Sequence, residues 1–151
     1  MASDMRDLLT MGLQDTHSAE TRLLAALPAM REAAADPKLK QAFGEHLTIT
    51  QCQVRRLEQV CQQPGIEPEG HACEAMEGLV EESEEIIDEI DEGPVLDVAL
   101  TGAAQEVEHY EMASYGTPVS LLKAMGRPRP PGRCRRRRRP TRCWPSWPRW
   151  G

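Results

Sequence analysis

The 151 residues carry 24 acidic and 18 basic side chains and are 40% hydrophobic but only 4% aromatic, with Phe43 the sole phenylalanine. That length supports one domain with a real core, and a core of Leu, Ala, Met, Val and Ile suits helices better than a sandwich or barrel. No apolar run approaches the roughly 18 residues of a membrane-spanning helix, and the N-terminus (MASDMRDLL) lacks the basic and apolar regions of a secretion signal, so a cytoplasmic address is expected.

The net charge of −6 conceals a split. Residues 1–126 hold all 24 acids against 8 bases, a charge of −16, whereas residues 127–151 hold ten arginines and no acid, a charge of +10. Six of the twelve prolines and all three tryptophans lie in that same tail. Two compositions meet near Gly126. The expected organisation is a helical domain over 1–124 followed by an Arg/Pro/Trp-rich tail over 125–151, expected to be disordered. The five cysteines (Cys52, Cys61, Cys73, Cys134, Cys143) form no CxxC pair.

In chain order, Ser3 and Asp4 open a first helix over 4–35 as N-cap and first-turn acid. Leu9, Leu13, Thr16, Glu20, Leu23, Leu27 and Met30 follow at spacings of three and four, the seam of a long amphipathic helix that Pro28 should bend. Asp36-Pro37 reads as N-cap and first residue of a second helix over 37–63. Its seam runs Leu39, Phe43, His46, Thr50, Gln53, Leu57 and Val60, and Pro64-Gly65 stops it. Residues 64–72 form a loop. A short acidic helix over 73–91 places Met76, Leu79, Val80, Ile86, Ile87 and Ile90 on one face. Gly93-Pro94 then opens a further helix over 94–124, with Leu96, Leu100, Ala103, Val107, Tyr110 and Ser114 on one stripe and Pro118 interrupting its last turns. Two long helices, an acidic crossover and a third long helix match an all-α four-helix bundle with one long connection. The fourth long helix is missing or disordered, because the six prolines of the tail forbid a continuous one.

Polar residues interrupt these seams. Glu20 breaks the first stripe, and His46 and Gln53 break the second. In the last helix Glu108 and Glu111 (EVEHYE, with His109 between them) lie three apart and so project from one face. A buried carboxylate is costly alone and becomes tolerable when several share a metal or a proton. Inward Glu and His from facing helices are how di-iron and di-manganese bundles are built, and such cations accept mixed carboxylate and imidazole ligands. Taken singly, a seam Glu or His is more often a partly exposed or hydrogen-bonded residue than a ligand, and Glu108 also reads as a surface residue; the combination on three helices is what raises the metal reading. His17 and His71 carry no such geometry and read as solvent-exposed.

The segments DTHSAETRLLAALPAM, LKQAFGEHL, RLEQV, CEAMEGLVEE and AAQEVEHYEMASYGT, in this order and with these gaps, resemble the YciE/YciF-type ferritin-like stress-protein family over roughly residues 5–124. The resemblance implies a ferritin-like bundle, a homodimer, a link to bacterial stress responses and a site related to that of rubrerythrins, with ferroxidase- or peroxidase-like di-metal chemistry on iron or manganese. It assigns Glu20 as the first-helix metal ligand, Glu45, His46 and Gln53 to the second-helix motif, and Glu108 and Glu111 to the third. The metal set it gives is Glu20, His46, Glu108 and Glu111. Three departures stand out. Ile49 replaces a common Glu, Pro118 replaces an apolar helix former, and the acidic EEKxTD-type motif of the family's last helix is missing.

The genetic code offers an account of that loss. Tryptophan has the single codon TGG, so a frame starting on the third base of each present codon turns every codon entering a Trp into Leu, Met or Val. Every Trp-Pro junction becomes Ala, and the closing Trp-Gly becomes Gly. Cys143 to Gly151 then recodes as Leu-Ala-x-[Leu/Met/Val]-Ala-x-[Leu/Met/Val]-Gly, a helical spacing. Permitted codons upstream extend it to EEKETDALLAELAEVG. The tail therefore reads as the fourth helix after a frameshift between about 118 and 134.

The functional expectation is a ferritin-like stress-response-type protein with an incomplete di-metal site. The alternative is a non-catalytic helical interaction module whose basic tail binds nucleic acid or anionic surfaces. A third reading is a truncated bundle that dimerises to cover its open face.

Overall fold

The computed structural model describes residues 4–62 and 65–126. The tail, Ser3 and the Pro64 end of the second-helix stop signal lie outside the described residues, as do the expectations attached to them: tail disorder, a shifted-frame helix and nucleic-acid binding. Four helices follow one another: α1 (Met5–Ala33), α2 (Pro37–Gln62), α3 (Glu74–Glu89) and α4 (Pro94–Ala124). The expected order and crossover are present; α4 and the start of α2 fall at the expected residues, and the other ends lie one or two residues inside them. Among the described residues, no helix is long and apolar enough to cross a membrane.

The caps follow local chemistry. Asp4 caps α1, its Oδ1 accepting from the N–H of Arg6 and Asp7 at 2.8 and 2.9 Å. Asp36 does the same for α2, accepting from Lys38 at 2.6 Å ahead of Pro37 at the first position. Cys73 caps α3, its Sγ accepting from the Met76 N–H. Gly93 launches α4 at φ +149°, a conformation that L side chains rarely adopt.

Helix α1 is the hub, packed against α2, α3 and α4, while α3 also packs on α4. Its burial therefore exceeds one stripe. His17, expected at the surface, is 7% exposed, and its Nε2 lies 3.9 Å from Glu58. A helix covered on three sides has no wide polar face left for it. His71 is exposed, as expected. Helix α4 is also buried more broadly than one stripe: Asp97, Thr101, Ala104 and Glu111 join Leu96, Leu100, Ala103 and Val107, whereas Tyr110 and Ser114 are half-buried.

Both internal prolines are accommodated. Pro28 is exposed on α1, and α4 runs through Pro118 to Ala124 rather than breaking. Pro118 is buried against Gly12, where a Cβ would lie 3.3 Å from the ring. A proline leaves the carbonyl four residues earlier without its helical partner. That carbonyl, on Ser114, lies 3.4 Å from the Thr16 hydroxyl, whose shorter bond (2.7 Å) goes to Gly12.

The apolar interior falls into two parts. One holds Leu23, Leu27, Met30, Leu39, Phe43, Met76, Leu96, Leu100 and Val107; the other holds Leu9, Leu13, Leu57, Cys61, Ile66 and Leu122. Between the two, each long helix carries buried polar residues: Thr16, His17 and Glu20 on α1, His46 and Thr50 on α2, Glu111 on α4. The site occupies this band.

Candidate metal centre

Three helices supply the centre. His46 Nε2 on α2 lies 3.1 Å from Glu111 Oε2 on α4, and His46 Nδ1 lies 3.7 Å from Glu108 Oε1. Ligand atoms of His46, Glu108 and Glu111 all fall within 4.8 Å of one another, a spacing that lets one cation draw on all three. The Glu108–Glu111 spacing delivers both carboxylates to one face of α4, as the sequence predicts. His46 is 4% exposed, Glu111 7%, and the Glu108 side chain 17%, so Glu108 faces inward rather than out.

Glu20 contributes from α1 and is wholly buried. Burial above all, then the charge of the Glu111 carboxylate, pushes its carboxyl up to about 9, against a smaller downward pull from the Tyr115 hydroxyl. Without a cation, the Glu20 carboxyl thus favours its protonated form. Its Oε1 accepts from the Tyr115 hydroxyl at 2.7 Å, while Oε2 accepts no hydrogen bond among the described residues and the carboxyl lies within hydrogen-bonding reach of the Glu111 side chain. Burial and the neighbouring Glu20 push the Tyr115 phenol far up, so its oxygen stays a donor.

The remaining sequence candidates sort plainly. Gln53 places a buried Oε1 that makes no hydrogen bond, and Thr50 a buried hydroxyl in the same condition. Glu45 is exposed and accepts from Gln41 at 2.9 Å, so it does not reach the centre. His109 is exposed, its Nδ1 on the Gln105 carbonyl at 2.8 Å. Ile49 is half-buried and offers no ligand atom.

Sequence reasoning missed Tyr115, although its place one turn after Glu111 was available as a signal. It also missed Asp97. That side chain is 4% exposed and reaches from α4 to the α1–α2 corner, accepting from the N–H of Ala35 at 2.7 Å and of Asp36 at 2.9 Å. A separate polar group lies between α1, α3 and α4. There the Tyr110 hydroxyl donates to Asp15 Oδ2 at 2.8 Å and lies 2.8 Å from the Cys73 thiol, whose backbone N–H donates to Ser18.

Two carboxylates and an imidazole within 4.8 Å of one another fit one hard or borderline cation, and the buried Glu20 carboxyl lies beside Glu111. A full two-metal carboxylate bundle draws a Glu from each of two helices and a Glu-x-x-His from each of two more. The described residues depart from that set: Phe43 stands where a Glu would precede His46 by three, and α4 carries Glu108-x-x-Glu111 in place of Glu-x-x-His.

Comparison with known proteins agrees with this architecture. The chain is 42% identical over 123 residues to Protein YciF of Escherichia coli strain K12, covering 81% of this chain and 74% of that protein. The crystal structure of the E. coli stress protein YciF superposes with a TM-score of 0.79 at 41% identity, over 83% of this chain and 79% of that one. The structure of YcfI from Rhodopseudomonas palustris gives the same TM-score at 43% identity, over 82% and 79%. Residues 4–136 match the family model described as a domain of unknown function, DUF892. The chain is therefore a member of the DUF892 family, a YciF-like protein of ferritin-like, all-helical fold.

Proposed function

We propose that this protein is a ferritin-like stress-response-type protein that binds a divalent iron or manganese ion through Glu20, His46, Glu108 and Glu111. One observation carries the reading. Glu20 is a fully buried acid whose Oε2 accepts no hydrogen bond among the described residues, and it lies beside Glu111, one of three closely spaced ligand residues with His46 and Glu108. A lone structural acid finds partners for both oxygens, since an unsatisfied buried polar atom costs about 1–3 kcal/mol. Four donors suit one ion better than two, so di-metal turnover is weak or absent. A bound iron or manganese ion supplies one-electron chemistry towards oxygen or peroxide.

The chain's own groups have separate tasks. His46 and Glu111 span the gap between α2 and α4, and Glu108 extends the acid face of α4. The apolar clusters on either side exclude water, which strengthens every charge interaction within the band. A cytoplasmic address, expected from the N-terminal sequence, and a homodimer, implied by the family resemblance, belong to the same reading.

Calorimetric titration of the full chain with manganese(II) tests it. Glu111→Ala and His46→Ala are each expected to weaken binding by at least about 100-fold, beyond the range ordinarily seen for outer-sphere partners. Binding equal to wild type in both variants overturns the proposal.

A further inference from the structure

We infer that Tyr115 is a positioning residue for the proposed cation site: its hydroxyl engages Oε1 of Glu20, so that Oε2 alone is presented to the ion. The inference rests on the metal reading above and goes beyond it in assigning which oxygen binds and what fixes it.

The geometry is specific. Tyr115 stands one helical turn beyond Glu111 on α4, so both side chains leave the helix on the same side. Glu20 faces them from α1. A phenol has one proton to donate, and here it goes to Oε1 at 2.7 Å. Among the described residues Oε2 is buried and accepts no hydrogen bond, and the carboxyl lies within hydrogen-bonding reach of Glu111. A carboxylate with one oxygen occupied by a short hydrogen bond coordinates through the other, which makes Glu20 a one-oxygen ligand. A carboxylate free of such a bond can rotate and chelate through both oxygens, as carboxylate ligands commonly do. Groups of this kind fix the orientation of the ligands they touch, and their loss lowers metal affinity.

Tyr115→Phe removes one oxygen and keeps the ring that fills the space. Expected results are an approximately tenfold loss of manganese(II) affinity and a changed visible absorption spectrum of the cobalt(II)-loaded protein. A merely structural tyrosine would alter the melting temperature of the metal-free protein and leave the cobalt spectrum alone. If wild type binds manganese and the folded variant binds equally with an unchanged cobalt spectrum, the inference is wrong while the proposed function stands. If wild type binds no metal, both fall. Should Tyr115→Phe fail to fold, infrared spectra of the manganese-loaded wild type decide, with Glu20→Gln identifying the Glu20 bands. A wide splitting of the carboxylate stretches, typical of one-oxygen coordination, supports the inference, and a narrow one overturns it.

Discussion

Replacing Asp97 with alanine is expected to destabilise the protein by about 2–4 kcal/mol, lowering the melting temperature by about 10 °C. The carboxylate is 4% exposed and each of its oxygens accepts one backbone N–H, from Ala35 and Asp36, at the corner where α1 gives way to α2. These are charge-assisted bonds, and truncation leaves both donors without that acceptor. It also loosens the residue, Asp36, that caps α2. Asp97→Asn retains one acceptor oxygen and should lose about half as much. Thermal unfolding followed by circular dichroism measures both, and a shift for Asp97→Ala of less than about 2 °C contradicts this account of the corner.

Glu20→Gln is expected to change the pH dependence of metal-free stability. The folded-state carboxyl is pushed up to about 9 from an ordinary 4.5, first by burial and then by the Glu111 charge. A group whose folded pKa is raised holds its proton in the native state after the unfolded chain has released it. Its stabilising contribution is therefore complete below about 4.5 and is lost as pH rises towards about 9. Glutamine is a neutral isostere that titrates nowhere, so the variant should show a flatter stability profile through that window. It should be more stable than wild type in the alkaline half. Urea unfolding at several pH values without metal checks this, and parallel profiles for the two proteins contradict it. Manganese(II) should oppose the alkaline loss in wild type, because a ligand bound only by the native state stabilises it.

Much of the architecture is legible in the sequence because its signals are local. Asp36-Pro37 and Gly93-Pro94 mark helix starts through φ restriction and capping, and the structure starts α2 and α4 at those prolines. Glu20 and His46 are visible because each breaks an apolar seam at a position that helical spacing assigns to the core. The misses are non-local. Asp97 looks like an ordinary first-turn acid, and only the fold brings it to the α1–α2 corner. His17 looks peripheral if α1 presents one stripe, but α1 is covered by three neighbours. Tyr115 shares a face with Glu111, yet its partner is 95 residues away in sequence. Pro118 reads as a helix breaker, and the neighbouring α1 supplies the Gly12 gap and the Thr16 hydroxyl that accommodate it.

The two apolar clusters have a further meaning for the site. A polar band costs stability wherever it crosses a core, since its groups give up water. Here the band crosses all three long helices at one level, with Leu13 and Leu57 on one side and Leu23 and Phe43 on the other. The cation proposed above would draw its ligands from this band.

The most direct measurement of the central claim is the metal content of the full chain. After equilibration with excess manganese(II), or with iron(II) under anaerobic conditions, and removal of free ion, elemental analysis should find about one equivalent per chain, as the single group of closely spaced ligands implies. Two equivalents, or none, would contradict it.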